Sequence, residues 1–593
     1  MTKDCYGGKQ MDFFNILTLI GGLALFLYGM EVMGDNLKKL AGGKLESFLS
    51  RLTSNRFKGF LLGFFVTAVI QSSSATTVML VGFVNSGIMK LGQTISIILG
   101  ANIGTTVTSW LLSLSGISGD TFWVKIFKPT SFTPILAAIG IIMTMMCKSD
   151  KKRDIGSILL GFAILMFGMD TMSGSMDGLK DSEAFGQMLI MFSNPIMGII
   201  TGTLLTAIIQ SSSASVGILQ ALSLTGAIPY STAIPIILGQ NIGTTITPIL
   251  SSISGNTESK QVAFSCLYIK MIGVVVVAVV FYILHAVMDF AFMSQNVTIM
   301  SIAVIHTLFN ILSTIILMPF CSLLEKLALK TIKGEKQAEN DVFSALDERF
   351  LTVPSFAVEK CNELVCKMAM VTKQSIVDAV SLLDNYDLAK RKDIYKSEDD
   401  VDKYEDKIST YLVKLSSLKL SDKDSKEVTE LLHVVGDIER MSDHAVNIAD
   451  VAEEMNEKQI EFSDAAKGDI KVISSALCDV LDLATTSFVN KDLETAKLVE
   501  PLEQVIDRLK RKIKASHIQR LKEGNCTVEF GFILSDLLTN YERISDHCSN
   551  IAVCLLEIAH GRLDTHEYLS HVKTDGENDF KEKYEAYKAK YSI

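Results

Sequence analysis

The sequence predicts an all-α protein in two parts: a polytopic membrane domain with inverted repeats and two re-entrant hairpins, and a helical bundle after it. Three observations predict this class. Residues 12–320 carry long apolar stretches with few charges, residues 335–593 are charged and mostly acidic, and one polar motif occurs twice inside the apolar half. With 593 residues and a mean hydropathy of +0.32, the chain is too long for one ordinary domain and too apolar for an ordinary soluble protein.

The composition excludes several classes of protein. The formal net charge of −10 arises mainly in the acidic half, so the chain has no nucleic-acid footprint. Ten scattered cysteines without a CxxC pair indicate reduced thiols. The sequence contains no catalytic triad, P-loop or metal-hydrolase motif, so we expect a protein that is not an enzyme.

The first apolar run, from about Phe13 to Met33, has the length of a membrane span. It exceeds the apolar region of a typical signal peptide and lacks a clear small-residue cleavage site, so we expect a retained helix. Full crossings fit at about 13–34, 92–115, 131–147, 154–172, 232–253, 262–288 and 298–320.

Two copies of one unit occupy the apolar half. The segment TAVIQSSSATT begins at Thr67, and TAIIQSSSASV begins 139 residues later at Thr206. At the same offset, IILGANIGTT (97–106) matches IILGQNIGTT (236–245) in nine of ten positions. The glycines at 29, 59 and 63 likewise match those at 168, 198 and 202. A gapless match of this length predicts two copies of one structural unit.

The charges of equivalent loops predict that the copies are inverted. The loop 35–58 holds six lysines and arginines against two acids, whereas 174–197 holds one lysine against three acids. Under the positive-inside rule the first loop is cytoplasmic and the second is external. This assignment places the N-terminus outside and the acidic half in the cytoplasm.

Two segments, about 57–88 and 196–228, remain outside the predicted crossings, and each holds QSSS in its middle. If each segment enters and leaves on one side as a re-entrant hairpin, all charge assignments agree. Three crossings then separate equivalent points, and an odd number inverts the second copy. In the alternative topology each segment crosses fully, which breaks the charge pattern.

Polar residues at membrane depth must be buried in protein or reached by water, and a hairpin tip is such a place. Half-helix N-termini there favour anions, and freed carbonyls favour cations. Neutral hydroxyl and amide groups suit either sodium or an oxyanion. The polar side chains are Gln71, Ser72, Ser73, Ser74, Thr76 and Thr77 in one copy, and Gln210, Ser211, Ser212, Ser213 and Ser215 in the other.

The NIGTT segments, Asn102–Thr106 and Asn241–Thr245, carry glycines on both sides of the asparagine and predict unwound helices that face the hairpin tips. Serine and threonine in membrane helices often only bond the i−4 carbonyl or hold helices together. Four polar clusters at symmetric positions favour a binding site over that simpler interpretation. Lys270, His285 and His306 have no symmetric partner, so we interpret them as packing or interfacial residues.

Paired QSSS segments, each followed by NIGTT, resemble the type II sodium–phosphate cotransporter family, in its bacterial branch, over about residues 12–320. The resemblance implies inorganic phosphate as the substrate and sodium as the coupling ion. It implies that the QSSS serines contact phosphate: Ser72, Ser73, Ser74, Ser211, Ser212 and Ser213. It implies sodium ligands from both hairpins and both unwound helices: Gln71, Thr67, Asn102, Thr105, Thr106, Gln210, Thr206, Asn241, Thr244 and Thr245.

The acidic half is predicted to be helical over residues 355–560 and to contain its own repeat. The segment DIERMSDHAVNIA (437–449) matches NYERISDHCSNIA (540–552) at an offset of 103, which fits two three-helix units in tandem. Acidic pairs spaced i, i+4 put two carboxylates on one helix face, where they repel unless a cation lies between them. The pairs are Glu398/Asp402, Glu439/Asp443, Glu503/Asp507 and Glu542/Asp546.

A solvated acidic face is the simpler interpretation of these pairs, and their symmetric doubling favours a metal such as Mg²⁺, Mn²⁺ or iron. The pattern resembles PhoU, the phosphate-regulon helical-bundle protein, whose ExxxD motifs bind metal clusters. The resemblance implies a PhoU-like regulatory domain over residues 355–560, with divalent metal or iron clusters as its cofactors.

We therefore expect a multi-pass cell-membrane protein. Its expected parts are a membrane domain at 12–320 (repeats at about 13–147 and 154–288, final helix 298–320), a linker at 321–354, the PhoU-like domain at 355–560 and a tail at 561–593. The expected function is sodium-coupled phosphate symport by alternating access. A phosphate exporter or exit channel and a phosphate-sensing receptor without transport stay open. The expected partners are phosphate, sodium and bilayer lipid, without nucleic acid, and the oligomeric state stays open, a homodimer included.

Overall fold

The computed structural model describes residues 13–41, 55–116, 129–176, 183–333, 342–560 and 577–593. In these ranges every regular element is a helix, and one isolated β-bridge joins Pro229 to Asn296. The predicted all-α class is therefore confirmed. The chain divides into two compact units, Met1–Phe356 and Ala357–Ile593. Much of the charged loops on which the predicted orientation rests, 42–54 and 177–182, lies outside the described residues.

The described residues of the first repeat form a long helix, a two-helix hairpin, an interrupted helix and a further apolar helix. The hairpin begins at Asn55, whose side chain accepts a hydrogen bond of 3.0 Å from the amide of Phe57 and so caps the helix. The helices are α1 (Phe13–Ala41), α2 (Arg56–Ile70), α3 (Ser73–Asn85), α4 (Leu91–Gly104), α5 (Thr106–Ser113) and α6 (Pro129–Met146).

The second repeat follows the same order and includes a short helix before its hairpin; the equivalent residues of the first repeat, 44–53, lie outside the described residues. Asn194, the counterpart of Asn55, caps the hairpin in the same way, through a 3.0 Å bond from the amide of Ile196. The helices are α7 (Asp150–Ser175), α8 (Glu183–Phe192), α9 (Pro195–Ile209), α10 (Ser212–Ser223), α11 (Tyr230–Gly243), α12 (Ile246–Ser252) and α13 (Thr257–Met288). Two further helices, α14 (Ile299–Leu317) and α15 (Cys321–Thr331), follow the repeat.

Six of the seven predicted crossings fall on helices that are long and apolar enough to span a membrane. The seventh, 131–147, falls on α6, whose apolar part, Ser131–Met146, is shorter than a typical span. A helix of the second unit, Asp464–Asn490, also has a span's length and composition. One face of it, which includes Ile473 and Leu477, is fully buried inside that unit, so its hydropathy reflects a protein core.

A glycine seam between α1 and α7 establishes that the repeats are inverted. A Cβ atom placed on Gly29 would lie 2.6 Å from the carbonyl oxygen of Gly161, and one placed on Gly168 would lie 2.7 Å from that of Gly22. Residue numbers rise along α1 as they fall along α7, so the two helices are antiparallel. Because α1 and α7 are equivalent parts of the two copies, an antiparallel pair means that the copies have opposite orientations.

A second glycine seam, between α2 and α4, decides the topology of the hairpin. A Cβ atom on Gly59 would lie 2.5 Å from Ser96 Oγ, and one on Gly104 would lie 2.6 Å from the carbonyl oxygen of Phe64. Residue numbers rise together, so α2 and α4 run parallel and begin at the same side. A full crossing by α2 and α3 would make them antiparallel. The segment is therefore a re-entrant hairpin, and Gly198 and Gly243 repeat the arrangement in the second copy.

The segment after α15, predicted as a linker, is structured where it is described and packs on the first hairpin. Asp347 Oδ2 accepts a 2.7 Å hydrogen bond from Asn85 Nδ2, at the end of α3, and forms a 2.6 Å ion pair with Arg349. Phe350 is fully buried against Phe83 of α3 and beneath Gly82. The segment thus joins the base of the first hairpin to the start of the next helix.

The second unit contains two three-helix groups that pack through α18 and α22. His444 Nδ1 lies 2.8 Å from Asn540 Oδ1, and His547 Nδ1 lies 2.8 Å from Asp437 Oδ1. His444 and Asp437 of one group correspond to His547 and Asn540 of the other at the offset of 103 residues. Each histidine therefore contacts the same position of the opposite group, and the two groups are related by a pseudo-twofold axis. The helices are α16 (Pro354–Leu382), α17 (Leu388–Ser416), α18 (Asp422–Glu457), α19 (Asp464–Asn490), α20 (Leu493–Ala496), α21 (Val499–Lys522), α22 (Val528–His560) and α23 (Glu577–Lys590).

Candidate transport site

The two QSSS segments form the tips of the hairpins. Gln71 ends α2 with φ 60°, and Gln210 ends α9 with φ 58°, so both adopt the left-handed conformation that non-glycine residues rarely take. This conformation lets each chain leave one half-helix and enter the next within two residues. Two symmetric strained glutamines indicate that the tip geometry is functionally constrained.

Buried hydroxyls close each tip. Thr67 donates a 3.1 Å hydrogen bond to Thr76 across the first hairpin, and Thr206 donates a 2.8 Å bond to Ser215 across the second. The partners in each bond are nine residues apart, and a straight helix would separate them by about 13 Å. Each bond therefore shows that the chain reverses direction between its two partners. Thr67 and Thr206 are fully buried, so both act in this structure to hold the hairpin; their predicted role as sodium ligands stays a prediction.

The second half of each hairpin begins with a serine cap. Ser72 Oγ accepts a 3.2 Å bond from the amide of Ala75, and Ser211 Oγ accepts a 3.2 Å bond from that of Ala214. In the described part of the chain, the hydroxyls and amide N–H groups of the next two serines have no hydrogen-bond partner: Ser73, Ser74, Ser212 and Ser213. Each half-helix thus presents two hydroxyls and two amides at its positive end, a donor set that suits an oxyanion.

The NIGTT segments interrupt their helices more narrowly than the predicted unwinding. Between α4 and α5 only Thr105 lies outside the helices, and between α11 and α12 only Thr244 and Thr245 do; all three keep right-handed backbone. Their hydroxyls donate to carbonyls three or four residues back, as does that of Thr106. The hydroxyl oxygens keep lone pairs for a cation.

Each hairpin also packs against the interrupted helix of the opposite repeat. α10 packs on α5, and α3 packs on α12. Gln220 Nε2, on α10, donates to the carbonyl oxygens of Ser109 at 3.0 Å and of Ile299 at 3.1 Å. The four predicted clusters therefore belong to one interlocked assembly, in which each repeat supports the hairpin of the other.

The structure also brings two ionisable residues, which the sequence interpretation assigned to packing, to this assembly. Lys270 of α13 is buried, and its Nζ lies 3.1 Å from Asn241 Oδ1 in the second NIGTT segment. His306 of α14 is buried with Nδ1 3.0 Å from Ser109 Oγ. An ionisable residue in the middle of an apolar span is itself a sign of function. The sequence pattern indicated packing for both residues because neither has a symmetric partner in the other repeat. His285, by contrast, accepts a bond from the amide of Phe290 at the end of α13.

In the second unit the first two acidic pairs come together. Carboxylate oxygens of Glu398, Asp402 and Asp443 lie within 4.8 Å of one another, a spacing that fits a metal ion. Burial and the nearby Asp402 and Asp443 carboxylates raise the pKa of Glu398. Burial and Asp443 likewise raise the pKa of Glu439. These shifts mark a site where negative charge accumulates.

The other two acidic pairs also meet, but basic residues accompany them. Burial and Glu542 raise the pKa of both Asp507 and Asp546. Lys510 forms an ion pair with Glu542, and Arg543 lies 3.7 Å from Asp546. Asp507, Asp546 and Glu503 line an open cavity of about 620 Å³. Part of the negative charge of this second set is therefore already compensated by side chains.

Comparison with known proteins agrees with this architecture. The Na+/Pi-cotransporter family model matches residues 25–174 and 177–302, and the PhoU domain model matches 365–452 and 470–555. YqeW of Bacillus subtilis is 30% identical over 320 residues, which are 53% of this chain and 97% of that protein. The chain belongs to the Na+/Pi-cotransporter family.

Two more relatives differ in how much of this Na+/Pi-cotransporter family member they align with. YjbB of Salmonella typhimurium, whose name describes an inorganic phosphate export protein, is 22% identical over 91% of this chain and 97% of its own length. The sodium-dependent phosphate transport protein 2A of Rattus norvegicus is 36% identical over 16% of this chain and 15% of its own length. The family is one of membrane transporters rather than of enzymes.

The matched ranges contain both hairpins and both NIGTT segments of the Na+/Pi-cotransporter domain, and all four acidic pairs of the PhoU domain. They end before His306 and before α23. The recognition predicted from the QSSS and ExxxD motifs is therefore confirmed, and the contacts of His306 and α23 are features that the structure of this chain adds.

Proposed function

We propose that this chain is a sodium-coupled phosphate symporter that works by alternating access around a site made by its two QSSS hairpins, under the control of its PhoU domain. The observation that carries the proposal is the symmetric pair of half-helix N-termini, each with two serine hydroxyls and two amides that have no partner among the described residues. Phosphate is an oxyanion that such donors recognise without a fixed charge. Neutral donors at the tips also let the ligand leave again.

Sodium coupling is supported by the oxygen atoms around the tips. The hydroxyls of the NIGTT threonines donate to nearby carbonyls and keep their lone pairs, and Asn102 adds an amide oxygen on α4. At the tip of the first hairpin, Gln71 Oε1 accepts a bond from Thr108 and keeps a second lone pair. Oxygen ligands of this kind suit a hard monovalent cation. The name of the rat relative, which describes sodium-dependent phosphate transport, points the same way.

We assign the regulatory part to the second unit, on the cytoplasmic side. Its first acidic set, Glu398, Asp402 and Asp443, with Glu439 beside it, offers only carboxylate oxygens, a set that suits Mg²⁺, Mn²⁺ or iron. A bound cation would offset the burial and the mutual repulsion that raise the pKa values of Glu398 and Asp443. The second set fits a metal less well, because Lys510 and Arg543 already pair with its carboxylates.

Net transport of phosphate out of the cell is a second candidate function. Relatives that cover nearly the whole chain carry a name that describes phosphate export, so efflux through the same site is the main competing function. A passive exit path and a sensor that moves no solute are also compatible with this architecture. Sodium-coupled transport in either direction, a passive path and a sensor differ in one measurement, the response of phosphate flux to an imposed sodium gradient.

The test is ³²P-phosphate flux in proteoliposomes with an inward, an outward or no sodium gradient. A symporter accumulates phosphate against its gradient when sodium flows inward and expels it when sodium flows outward. A passive path equilibrates phosphate whatever the sodium gradient, and a sensor shows no flux. Flux that ignores sodium would overturn the coupling proposed here.

The same assay tests the site with matched variants. Ser73→Ala and Ser212→Ala each remove one unpartnered hydroxyl from one tip, and we expect both to lower phosphate affinity about tenfold, since a lost charge-assisted hydrogen bond is worth about 1.5 kcal/mol or more. Ser131→Ala, on the exposed face of α6, is the control and should leave flux unchanged. Unchanged affinity in both tip variants would refute this site.

A further inference from the structure

Lys270 is a buried cation with no acidic partner among the described residues. Its side chain lies on α13, a helix of span length, and the residue is 6% exposed. The ionisable groups whose charge acts with it are Cys266 on the same helix and His306 on α14, neither of which is a carboxylic acid. A lone ammonium in such a place is costly, which indicates that it serves the site rather than the packing.

The Lys270 ammonium contacts an amide oxygen, an atom that also binds metal cations. Nζ lies 3.1 Å from Asn241 Oδ1, while Asn241 Nδ2 donates a 3.0 Å bond to the carbonyl oxygen of Ile237. The amide is thus fixed so that its oxygen faces the ammonium. A side-chain amide oxygen that is buried and oriented in this way can accept an ammonium hydrogen or coordinate sodium through the same lone pairs.

The first repeat has the amide but not the cation. Asn102, the counterpart of Asn241, is 5% exposed, and its side chain makes no hydrogen bond within the described ranges. The helix α6, which takes the place of α13 in the order of elements, carries no lysine or arginine. Two equivalent amides thus have different environments: Asn241 Oδ1 contacts a tethered ammonium, whereas the Asn102 side chain has no hydrogen-bond partner among the described residues.

We propose that Lys270 is a built-in replacement for a sodium ion at the second NIGTT segment. The first repeat binds an exchangeable sodium ion at Asn102, and the second carries its positive charge permanently, so that the molecule couples phosphate to one sodium ion fewer than its twofold symmetry would provide. This inference rests on the proposed sodium coupling and specifies which repeat supplies it.

The experiment counts sodium in two ways. Equilibrium binding of ²²Na+ to the purified full-length protein gives the number of ions per chain, and paired ²²Na+ and ³²P fluxes in proteoliposomes give the transport ratio. We expect Lys270→Met to bind one additional sodium ion per chain and to raise the flux ratio by one. Asn102→Ala should lose one ion, and Lys326→Met, an exposed lysine of α15, is the control.

The outcomes separate this inference from the proposed function. If wild-type flux ignores sodium, the symport proposal fails, whereas a gain of sodium binding in Lys270→Met would still support the replacement. If wild-type flux follows sodium but Lys270→Met leaves the ion count unchanged, the replacement is refuted. An unchanged count with phosphate KM raised tenfold would instead make Lys270 a phosphate ligand. Lys270→Arg, which keeps the charge, should retain the wild-type ratio, and a change there would also refute the proposal.

Discussion

The hydroxyl of Thr108 donates a 2.8 Å hydrogen bond to Gln71 Oε1, but the symmetry mates of these residues do not repeat the contact. Gln210 is exposed, and Thr247 Oγ1 is buried without a hydrogen-bond partner in the part of the chain that the structure describes. The first hairpin therefore has a tie to its interrupted helix that the second lacks, while the second is held by a different bond, from Gln240 Nε2 on α11 to the Ser215 carbonyl oxygen at 3.0 Å. The two repeats thus hold equivalent hairpins through different hydrogen bonds.

This asymmetry predicts unequal effects of two equivalent substitutions. Thr108→Val removes a hydrogen bond that is formed and should lower the free energy of unfolding by about 1 kcal/mol, whereas Thr247→Val removes an unpartnered buried hydroxyl and should be neutral or stabilising. Thermal unfolding of the detergent-solubilised protein checks both. Equal losses in the two variants would mean that the asymmetry carries no energetic weight.

The glycine seam between α1 and α7 predicts a sharp contrast between neighbouring glycines. A Cβ atom on Gly29 would clash with the backbone of Leu165, whereas one on Gly21 meets nothing within 4 Å. We expect Gly29→Ala to cost about 1–3 kcal/mol, because the helices must separate, and Gly21→Ala to stay within about 0.5 kcal/mol. Yield of monodisperse protein and its melting temperature measure the difference. Gly168→Ala should match Gly29→Ala, and a benign Gly168→Ala would contradict the seam.

The ion pair between Asp347 and Arg349 predicts that the folded structure of residues 342–352 requires the Asp347 carboxylate. The Asp347 side chain is 5% exposed and that of Arg349 is 12% exposed, so Asp347→Ala leaves a buried guanidinium without its carboxylate. We expect a loss of about 3 kcal/mol and faster hydrogen exchange in this segment. The double variant Asp347→Ala/Arg349→Leu should recover part of the loss, since it removes the unpaired charge. Lys333→Ala is an exposed control, and unchanged exchange in Asp347→Ala would refute the role of the pair.

The first acidic set of the PhoU domain predicts a stabilising response to metal. Addition of Mn²⁺ to the metal-stripped full chain, at about a hundred times its Kd, should stabilise the protein by about 2.7 kcal/mol through mass action. Glu398→Gln should abolish the response and, without metal, should itself stabilise the protein, because the raised pKa of Glu398 shows that its charge is penalised in the fold. Glu461→Gln, on an 87% exposed side chain, is the matched control. A full response in Glu398→Gln would exclude this site.

The terminal helix α23 predicts a pH dependence through Asp479. Burial would raise the pKa of this carboxyl, but hydrogen bonds from Lys590 and Tyr591 hold it below its ordinary value. A carboxyl with a depressed pKa contributes stability that is present above its unfolded pKa, about 3.9, and is lost as the pH falls through the lower folded value. Hydrogen exchange of residues 577–590, corrected for intrinsic rates, should therefore stay slow from neutral pH to about pH 4 and accelerate below.

Substitution separates this pairing from general acid unfolding. Asp479→Asn should accelerate exchange in α23 already at neutral pH, because the ion pair with Lys590 is lost, while Asp464→Asn, an exposed residue on the same helix α19, should not. Exchange that is equally slow in both variants would mean that α23 is held by other contacts.

Much of the membrane fold could be predicted because each informative motif occurs twice, once in each repeat. The repeat, the inverted orientation and the re-entrant hairpins followed from QSSS, NIGTT and loop charges, and the glycine seams confirm them. Periodicity and length alone were less reliable. The helix Asp464–Asn490 is apolar enough for a span, yet its apolar residues fill a protein core, and the predicted linker contains α15 and the Asp347 segment.

What symmetry could not predict is where the copies differ. Lys270 lacks a counterpart, so the symmetry argument dismissed it, although it contacts the predicted ligand Asn241. The contrast between Gln71 and Gln210 is also hidden in the sequence, since the two residues are identical and only their packing differs. The narrow interruption at Thr105 reflects threonine hydroxyls that bond nearby carbonyls and keep the backbone helical.

The glycine seam between α1 and α7 has a consequence for the origin of such a chain. A single copy of the unit could form this seam only with a partner inserted into the membrane upside down, so an unduplicated ancestor would have needed dual topology. Dual insertion requires loops whose charges do not favour either side. In this chain the loops 35–58 and 174–197 have acquired opposite charge bias. Each half is now committed to one orientation, and the two halves must be made as one polypeptide.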